Sequence, residues 1–269
     1  MAARVDCHMH TIHSIDGNAG MAEMCDAAIA AGLDTIAITD HVDIGSSTPE
    51  IFARTARDSF HESGQLAALY RGRLRVARGV ELGQALHNLD ETMRILDGYH
   101  FDFVLGSLHN LRGEEDFYYW DYDALTDDEI DGAMRKYFAE LAELVRWGGF
   151  HSLAHLTYPL RYIPAQHRSA GLSAWSSAID DILCTAAQKG IALEINTSGL
   201  RQPIGETFPP AGIVRRFREL GGEYITLGSD AHYTDDVGKG IAEARQIAVD
   251  AGFENVAIFF EGKAALLPI

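Results

Sequence analysis

Eight apolar runs of strand length alternate with longer helical patterns along this chain. The runs cover residues 4–7, 35–39, 74–81, 103–107, 150–154, 191–195, 224–228 and 256–260. Helical patterns fill the gaps between them, for example at 21–31, 127–147, 174–189 and 235–251. Repeated strand–helix units predict an α/β fold with a parallel sheet and right-handed crossovers. Seven or eight such units in 269 residues favour a closed barrel over an open sheet.

Composition and charge narrow the class of protein and its partners. Hydrophobic residues make up 47% of the chain, enough for a sizeable core, and we expect a single domain spanning residues 1–269. The formal net charge of −17 argues against nucleic-acid and anionic-membrane partners, because both need a basic surface. Three widely spaced cysteines, with no visible signal peptide or membrane-spanning run, predict a cytoplasmic protein. The oligomeric state stays open.

Side chains of the kind that bind metals follow nearly every predicted strand. Active sites of parallel barrels are built at the carboxyl ends of the strands, so these side chains are expected to meet at one rim. In chain order they are His8, His10, Asp16, His41, Glu81, His109, His155, Glu194, Asn196, Asp230 and His232.

The alternation of side chains along a strand places these residues inside the barrel. His41 shares its face with Ala37, and Asp230 shares its face with Gly228. Small residues beneath a ligand leave room for a packed metal cluster. Glu194 also faces inward, and a buried glutamate needs a partner, for which a metal-binding histidine is a natural choice.

The remaining histidines do not fit this rim. A single histidine is more often a hydrogen-bonded structural residue than a metal ligand, whereas many candidates on one rim predict a metal site. His13, between His10 and Asp16, stays open as a further candidate. We assign the other five to structure or surface: His61, His87, His100, His151 and His167.

Five short segments resemble the motifs of the PHP family, the polymerase and histidinol phosphatase superfamily. They agree with that family in residue type, order and spacing from residue 6 to about residue 232. Two further stretches, 154–162 and 194–201, look like the stand-alone histidinol-phosphate phosphatases of the family. The five motifs are Asp6-Cys7-His8-Met9-His10-Thr11, Ile38-Thr39-Asp40-His41, Gly79-Val80-Glu81, Gly106-Ser107-Leu108-His109 and Leu227-Gly228-Ser229-Asp230-Ala231-His232.

The resemblance implies a distorted barrel of seven strands, (β/α)7, that holds three divalent metal ions at the carboxyl ends of its strands. The implied ligand sets are His8, His10, Glu81 and Asp230 for one ion, Glu81, His109 and His155 for the second, and Asp16, His41 and His232 for the third. Mixed nitrogen and oxygen ligands suit zinc, iron or manganese, and the sequence does not choose among them.

The implied activity is hydrolysis of a small phosphate ester, with L-histidinol phosphate as the expected substrate. A hydroxide shared by two metals would attack phosphorus, since bound divalent ions lower the pKa of water. The candidate catalytic residues are Glu81, Asp230 and His232. The candidate substrate-binding residues are Arg161, Arg201 and Asn196, because a guanidinium offers paired donors to phosphate.

An acidic, aromatic segment at 114–131 is interpreted as a long loop. It is either a lid, whose carboxylates hold an amine and whose rings stack on an imidazole, or an ordered surface loop. Near it, Asn110-Leu111-Arg112-Gly113 departs from the pattern of the family, which bears on the substrate and not on the metals.

Other functions compete with this one. The alternatives are a phosphoesterase acting on another small ester or nucleotide, and a nuclease or proofreading domain, which the acidic charge disfavours. A metallo-amidohydrolase would need a lysine at a strand end, which we do not find. The pair Asp121-Tyr122-Asp123 lacks the flanking residues of a haloacid-dehalogenase nucleophile, and a purely structural metal site would need no open pocket.

Overall fold

Parallel strands form a nearly closed barrel in the computed structural model, which describes residues 4–46, 48–168 and 171–269. The barrel strands are β1 (Val5–Asp6), β2 (Thr35–Ile38), β3 (His41–Asp43), β4 (Arg75–Gly83), β5 (Phe103–Ser107), β6 (Ser152–Leu153), β7 (Ala192–Asn196) and β8 (Ile225–Gly228). Their order is β1-β2-β4-β5-β6-β7-β8, and β3 pairs with the second half of β4. Because β2 and β3 pair with successive parts of β4, they occupy one position in the barrel. The predicted barrel of seven parallel strands is therefore confirmed.

The first and last barrel strands meet and bring the two ends of the sheet together. The backbone N–H of Cys7 donates to the carbonyl of Leu227 at 2.8 Å, and Met9 forms a parallel bridge with Ala231. The segments that follow β1 and β8 therefore run side by side beyond the strand ends. This pairing brings the His-x-His segment next to Asp230.

Seven helices connect the strands in the described part of the chain: α1 (Met21–Ala30), α2 (Pro49–Leu69), α3 (Leu89–Gly98), α4 (Asp127–Trp147), α5 (Ser176–Lys189), α6 (Ala211–Glu219) and α7 (Ile241–Asp250). Thr126 and Glu129 form a capping box at the start of α4, which satisfies backbone N–H groups that have no helical partner there. Gly148 and Gly190 end α4 and α5 in the left-handed conformation that glycine adopts most easily. Within the described ranges, none of the helices has the length and apolar character needed to cross a bilayer.

The last predicted strand does not join the barrel. It forms β9 (Asn255–Phe260), which pairs antiparallel with β10 (Lys263–Pro268) in a separate hairpin. Phe259 stacks on Phe103 and His151, with ring centroids 5.4 and 5.0 Å apart, at the amino-terminal side of β5 and β6. The hairpin therefore covers the end of the barrel opposite to the strand carboxyl ends.

The segment expected to be a long loop at 114–131 contains more regular structure than the sequence indicates. Two short 3-10 helices, Phe117–Tyr119 and Tyr122–Ala124, lie within it, and its last five residues belong to α4. Phe117 and Tyr122 are buried in the core, whereas Tyr118 and Tyr119 are 63% and 70% exposed. Its aromatic residues are therefore divided between packing and the surface.

Candidate active site

The predicted metal ligands lie together at the carboxyl end of the barrel. His8, His10 and Glu81 are completely buried, and the others surround a cavity of about 730 Å³ directly above them. The structure brings all nine into this one cluster: His8, His10, Asp16, His41, Glu81, His109, His155, Asp230 and His232.

Glu81 occupies the centre of the cluster. Its Oε1 atom lies 3.1 Å from Nε2 of His109 and 2.8 Å from Nε2 of His155. Its Oε2 atom lies 3.1 Å from Nε2 of His8 and 3.1 Å from Nδ1 of His41. The two oxygens thus face different groups of histidines, which is the arrangement of a carboxylate that can be shared by two metal ions.

Asp16, His41 and His232 form the outer part of the cluster. Oδ2 of Asp16 lies 3.0 Å from Nε2 of His232 and 3.7 Å from Nε2 of His41. The imidazole of His10 stacks on those of His41 and His232, each at 4.2 Å between centroids. Ring nitrogens of these three histidines lie within 4.8 Å of one another, so they also could hold one ion.

Several ring nitrogens in the cluster face each other. Nε2 of His8 lies 3.0 Å from Nε2 of His10, and Nε2 of His109 lies 3.4 Å from Nε2 of His155. Two imidazole nitrogens can share a hydrogen bond only if one brings a proton and the other a lone pair. Repeated contacts of this kind around one carboxylate are typical of lone pairs directed at common cations. The nitrogen and oxygen donors therefore fit a cluster of divalent transition metals.

A glutamate predicted to face inward fixes the orientation of one of these histidines. Nδ1 of His8 lies 2.7 Å from Oε1 of Glu194, which directs its Nε2 towards Glu81. Oε2 of Glu194 accepts the backbone N–H of His155 at 2.8 Å. A Cβ atom at Gly228 would clash with Glu194 Oε1 and with Cβ of His8, so glycine is required beneath the cluster. The expected partner of Glu194 is thus a histidine of the cluster.

Sequence reasoning misses Asp43, which supports the cluster from β3. Its Oδ1 atom lies 3.0 Å from Nδ1 of His109, and its Oδ2 atom lies 3.5 Å from Nδ1 of His41. Asp43 lies two residues after His41, so strand alternation would have placed both on one face. The sequence does not show this clearly, because β3 has only three residues and the regular strand is interrupted between β2 and β3.

Two buried aspartates hold the loops that carry the ligands. Asp40 accepts the backbone N–H of Thr11 at 2.6 Å and the hydroxyl of Ser14 at 2.8 Å, next to the His-x-His segment. Asp6 accepts the backbone N–H of Ser229 at 2.8 Å, directly before Asp230. Both aspartates belong to the motifs that resemble those of the PHP family. They fix the backbone of the loops that carry the ligands and do not line the cavity.

The backbone is strained at two of the predicted ligands. His155 has φ +22° and Asp230 has φ +55°, a region that residues with a Cβ atom rarely adopt. Such conformations persist only where surrounding contacts enforce them, and they are common at functional sites. Here the enforcing contacts include the bond from His155 N–H to Glu194 and the bond from Asp230 N–H to the carbonyl of His8.

Charges within the cluster set its protonation states. Burial raises the pKa of Glu81, but His8 and the histidines around it outweigh burial and hold that pKa well below its usual range. The pKa of Asp230 is likewise depressed, because Arg161 and His8 outweigh its burial. Burial and the neighbouring imidazoles hold the pKa of His10 well below normal. Ionised carboxylates and a neutral imidazole are the forms that bind metal.

The pKa values of two histidines that contact Glu81 shift in the other direction. Burial lowers the pKa of His8, but the carboxylates of Glu194 and Glu81 outweigh it and raise the pKa well above normal. Asp43 and Glu81 raise the pKa of His109 in the same way against its burial. The carboxylates of the site therefore attract positive charge, either protons or metal cations, to these imidazoles.

Both predicted arginines border the cavity. Nη2 of Arg161 donates to Oγ of Ser198 at 2.6 Å and to Oδ2 of Asp230 at 2.7 Å. Nη2 of Arg201 donates to the carbonyl of Ser229 at 2.9 Å. Within the described residues, Nε of Arg161 and Nη1 of Arg201 are buried donors without a partner. Both arginines line the cavity, so an anion held there would lie beside two positive charges.

Asn196 lies below the cavity and does not line it. Its amide nitrogen donates to Glu194 at 3.2 Å and to Asp230 at 3.3 Å, and its oxygen accepts the backbone N–H and the hydroxyl of Ser198. Because its amide is occupied by these bonds, Asn196 is suited to position Asp230 and Ser198. It is poorly placed to contact a substrate.

The histidines assigned to structure or surface lie outside the cluster, and so does His13, which the sequence leaves open as a candidate. Nε2 of His13 lies 2.6 Å from Oε2 of Glu62, away from the cavity. Nδ1 of His151 accepts the backbone N–H of Val104 at 2.9 Å. Four more are absent from every candidate metal group found in the described part of the chain: His61, His87, His100 and His167.

Comparisons with known proteins agree with this geometry. A model of the PHP domain family matches residues 6–198. The chain is 31% identical over 258 residues to a probable histidinol-phosphatase of Clostridium acetobutylicum, covering 95% of this chain and 96% of the relative. It is 30% identical over 258 residues to the histidinol-phosphatase of Lactococcus lactis, covering 95% and 94%.

A solved structure of histidinol phosphate phosphatase from Lactococcus lactis, complexed with zinc, L-histidinol and phosphate, superimposes with a TM-score of 0.84. The superposition covers 97% of this chain and 98% of the other, at 30% sequence identity. The matching model covers more than half of the chain, and the similarity to these relatives runs over nearly its full length. The chain therefore belongs to the PHP family.

Proposed function

We propose that this protein is a metal-dependent phosphatase that hydrolyses L-histidinol phosphate to L-histidinol and phosphate. The observation that carries the proposal is one cavity that joins a cluster of histidines around Glu81 to two arginines. The relative of known structure holds zinc, L-histidinol and phosphate together, which supports the same substrate here. We further propose that the whole chain acts as one domain, and its cytoplasmic location stays a prediction.

We propose three metal ions, held by the ligand sets given above, with Glu81 shared between two of them. The two carboxylate oxygens of Glu81 support this sharing, since each oxygen contacts its own group of histidines. Bound divalent ions would neutralise phosphate charge and lower the pKa of coordinated water from about 16 towards about 7. The relative of known structure contains zinc, and iron and manganese suit the same donor atoms.

The protein groups have separate tasks in this proposal. Arg161 and Arg201 bind phosphoryl oxygens with the guanidinium groups that they bring to the cavity wall. Asp230, ionised and bonded to Arg161, holds that guanidinium at the cavity wall as well as serving the metals. Glu194 and Asp43 orient His8 and His109 and so fix which ring nitrogen faces the metals.

The first test concerns substrate. Wild-type protein is expected to hydrolyse L-histidinol phosphate with kcat/KM at least about tenfold above that for p-nitrophenyl phosphate, because contacts to the leaving group add to those with phosphate. Steady-state kinetics on both esters with the same preparation measure this ratio. Equal values would reduce the proposal to a phosphoesterase of another small ester or nucleotide. Cleavage of single-stranded DNA without monoester hydrolysis would favour the nuclease alternative.

A further inference from the structure

The outer strand of the hairpin formed by β9 and β10 has an uncovered edge. β10 pairs with β9 on one side, and no strand in the described ranges pairs with its other side. The turn residues Glu261 and Gly262 have φ of +50° and +70°, as in the type I′ turns that suit hairpins. Asp102 accepts both of their backbone N–H groups, through its carboxylate and its carbonyl, which fixes the hairpin to the barrel. An uncovered edge of a fixed strand is a template for another strand.

The direction of each backbone group in β10 follows from its pairing with β9. The N–H of Ile269 donates to the carbonyl of Glu254 at 3.1 Å, so the backbone of Ile269 faces β9. Backbone groups alternate in direction along an antiparallel strand, so the odd-numbered residues of β10 bond to β9 and the even-numbered ones face outward. The edge therefore offers N–H and C=O groups of Ala264 and Leu266 and the carbonyl of Pro268, whose nitrogen carries no hydrogen.

A second copy of this edge matches it when the two strands run antiparallel about Leu266. Leu266 then lies opposite the partner's Leu266, and the two exchange a pair of N–H to C=O bonds. Ala264 lies opposite the partner's Pro268 and donates its N–H to the carbonyl of that proline. Every outward N–H of both strands is thus bonded, and the missing donor of Pro268 leaves only the carbonyl of Ala264 without a bond.

The side chains on one face of this edge are apolar. Ala264 and Pro268 are exposed, and Leu266 is 50% exposed. Alternation along the strand places all three on the same face. In the antiparallel pair the two Leu266 side chains lie side by side at the centre, with an alanine and a proline beside each. Pairing therefore removes apolar surface of both copies from water.

Charges on the opposite face are complementary in the same register. Lys263 and Glu254 are both exposed, and the pairing of β10 with β9 places them on one face. Lys263 would lie opposite the partner's Ile269, which is itself paired with the partner's Glu254. The backbones of the lysine and the glutamate are then two strand spacings apart, about 10 Å, which the two long side chains together can span. The two-fold axis repeats this ion pair at the other end of the interface.

We propose that β10 is a dimerisation strand, which pairs antiparallel with β10 of a second copy about Leu266 and joins the two hairpins into one four-stranded sheet. The hairpins cover the ends of the barrels opposite to the strand carboxyl ends, so the two active-site cavities lie far from this interface. Turnover per chain is therefore expected to be the same in the monomer and the dimer.

Analytical ultracentrifugation of the full chain over the micromolar range tests the inference and is expected to show a reversible monomer–dimer equilibrium. The variant Leu266→Lys places like charges directly opposite each other at the two-fold axis. It is expected to raise the dissociation constant of the dimer at least about tenfold.

The matched control is Leu89→Lys, which makes the same change at a leucine that is 43% exposed at the start of α3, away from the hairpin. It is expected to leave the dissociation constant within about twofold of wild type. Circular dichroism and turnover per chain are expected to match wild type in both variants, which shows that any loss of the dimer does not come from unfolding.

An exchange of charges tests the register. The variant Lys263→Glu brings two glutamates together at each end of the interface and is expected to weaken the dimer at least about threefold. Adding Glu254→Lys to it restores opposite charges and is expected to return the dissociation constant to within about twofold of wild type.

Three results would overturn the inference. A wild-type protein that stays monomeric throughout the micromolar range has no such interface. A dimer that Leu266→Lys does not weaken forms through another surface. A double variant that binds no more tightly than Lys263→Glu alone rejects the pairing about Leu266.

Discussion

Glu81→Gln is expected to lower kcat for L-histidinol phosphate at least about a thousandfold while the fold survives, because it removes the one carboxylate proposed to serve two metals. Glutamine has nearly the same shape but offers a neutral oxygen and an N–H₂ group. One of the two groups of histidines around Glu81 would then face a donor instead of an acceptor. Loss of metal content is expected together with the loss of turnover.

The matched control is Glu223→Gln, which changes an exposed glutamate two residues before β8 that has no role in the cluster. It is expected to keep turnover and metal content within about twofold of wild type, as surface substitutions usually do. Circular dichroism of both variants checks that the barrel is intact. If Glu81→Gln keeps near-normal turnover, Glu81 is a structural carboxylate and its shared role is rejected.

Arg161→Ala is expected to lower kcat/KM for L-histidinol phosphate about 100- to 1000-fold, the usual cost of removing a donor that stabilises a developing anion. KM is expected to rise as well, since a phosphate clamp acts on the ground state and the transition state together. The substitution also leaves the buried carboxylate of Asp230 without its 2.7 Å partner. Thermal unfolding must therefore be measured beside the kinetics.

The variant Arg161→Lys separates the contribution of Arg161 to catalysis from its contribution to stability. Lysine restores a positive charge near Asp230 but lacks the planar pair of donors, so it is expected to recover stability more fully than kcat/KM. Inorganic phosphate, tested as a competitive inhibitor, should bind both variants more weakly than wild type. Unchanged phosphate binding in Arg161→Ala would remove Arg161 from the substrate site.

The fold could be predicted largely from the alternation of strands and helices. Helix α4 and strand β5 begin and end at the predicted residues, and β8 ends at the predicted residue but begins one residue later. Two strands are shorter than the sequence predicts, because β1 and β6 each have only two residues in regular pairing. The strand predicted at 256–260 forms as β9. The sequence does not indicate that β9 pairs with β10 in a hairpin instead of joining the barrel.

The position of the site was predictable because parallel strands place their carboxyl ends at one rim. Strand alternation also anticipates the burial of Glu194 and the need for Gly228 beneath the cluster. The sequence predicts a metal-binding histidine as the partner of Glu194 but not which one. It does not predict contacts such as that of Asp43 with His109, because they join residues far apart in the chain.

The metal content of the purified protein tests the central claim most directly. Elemental analysis of protein prepared without added metal is expected to find about three divalent transition-metal ions per chain, because nine ligands are available and each ion needs at least three protein ligands. Removal of these ions with a strong chelator should abolish phosphatase activity, and adding them back should restore it. A metal content near zero in an active preparation that chelators do not affect would contradict the account.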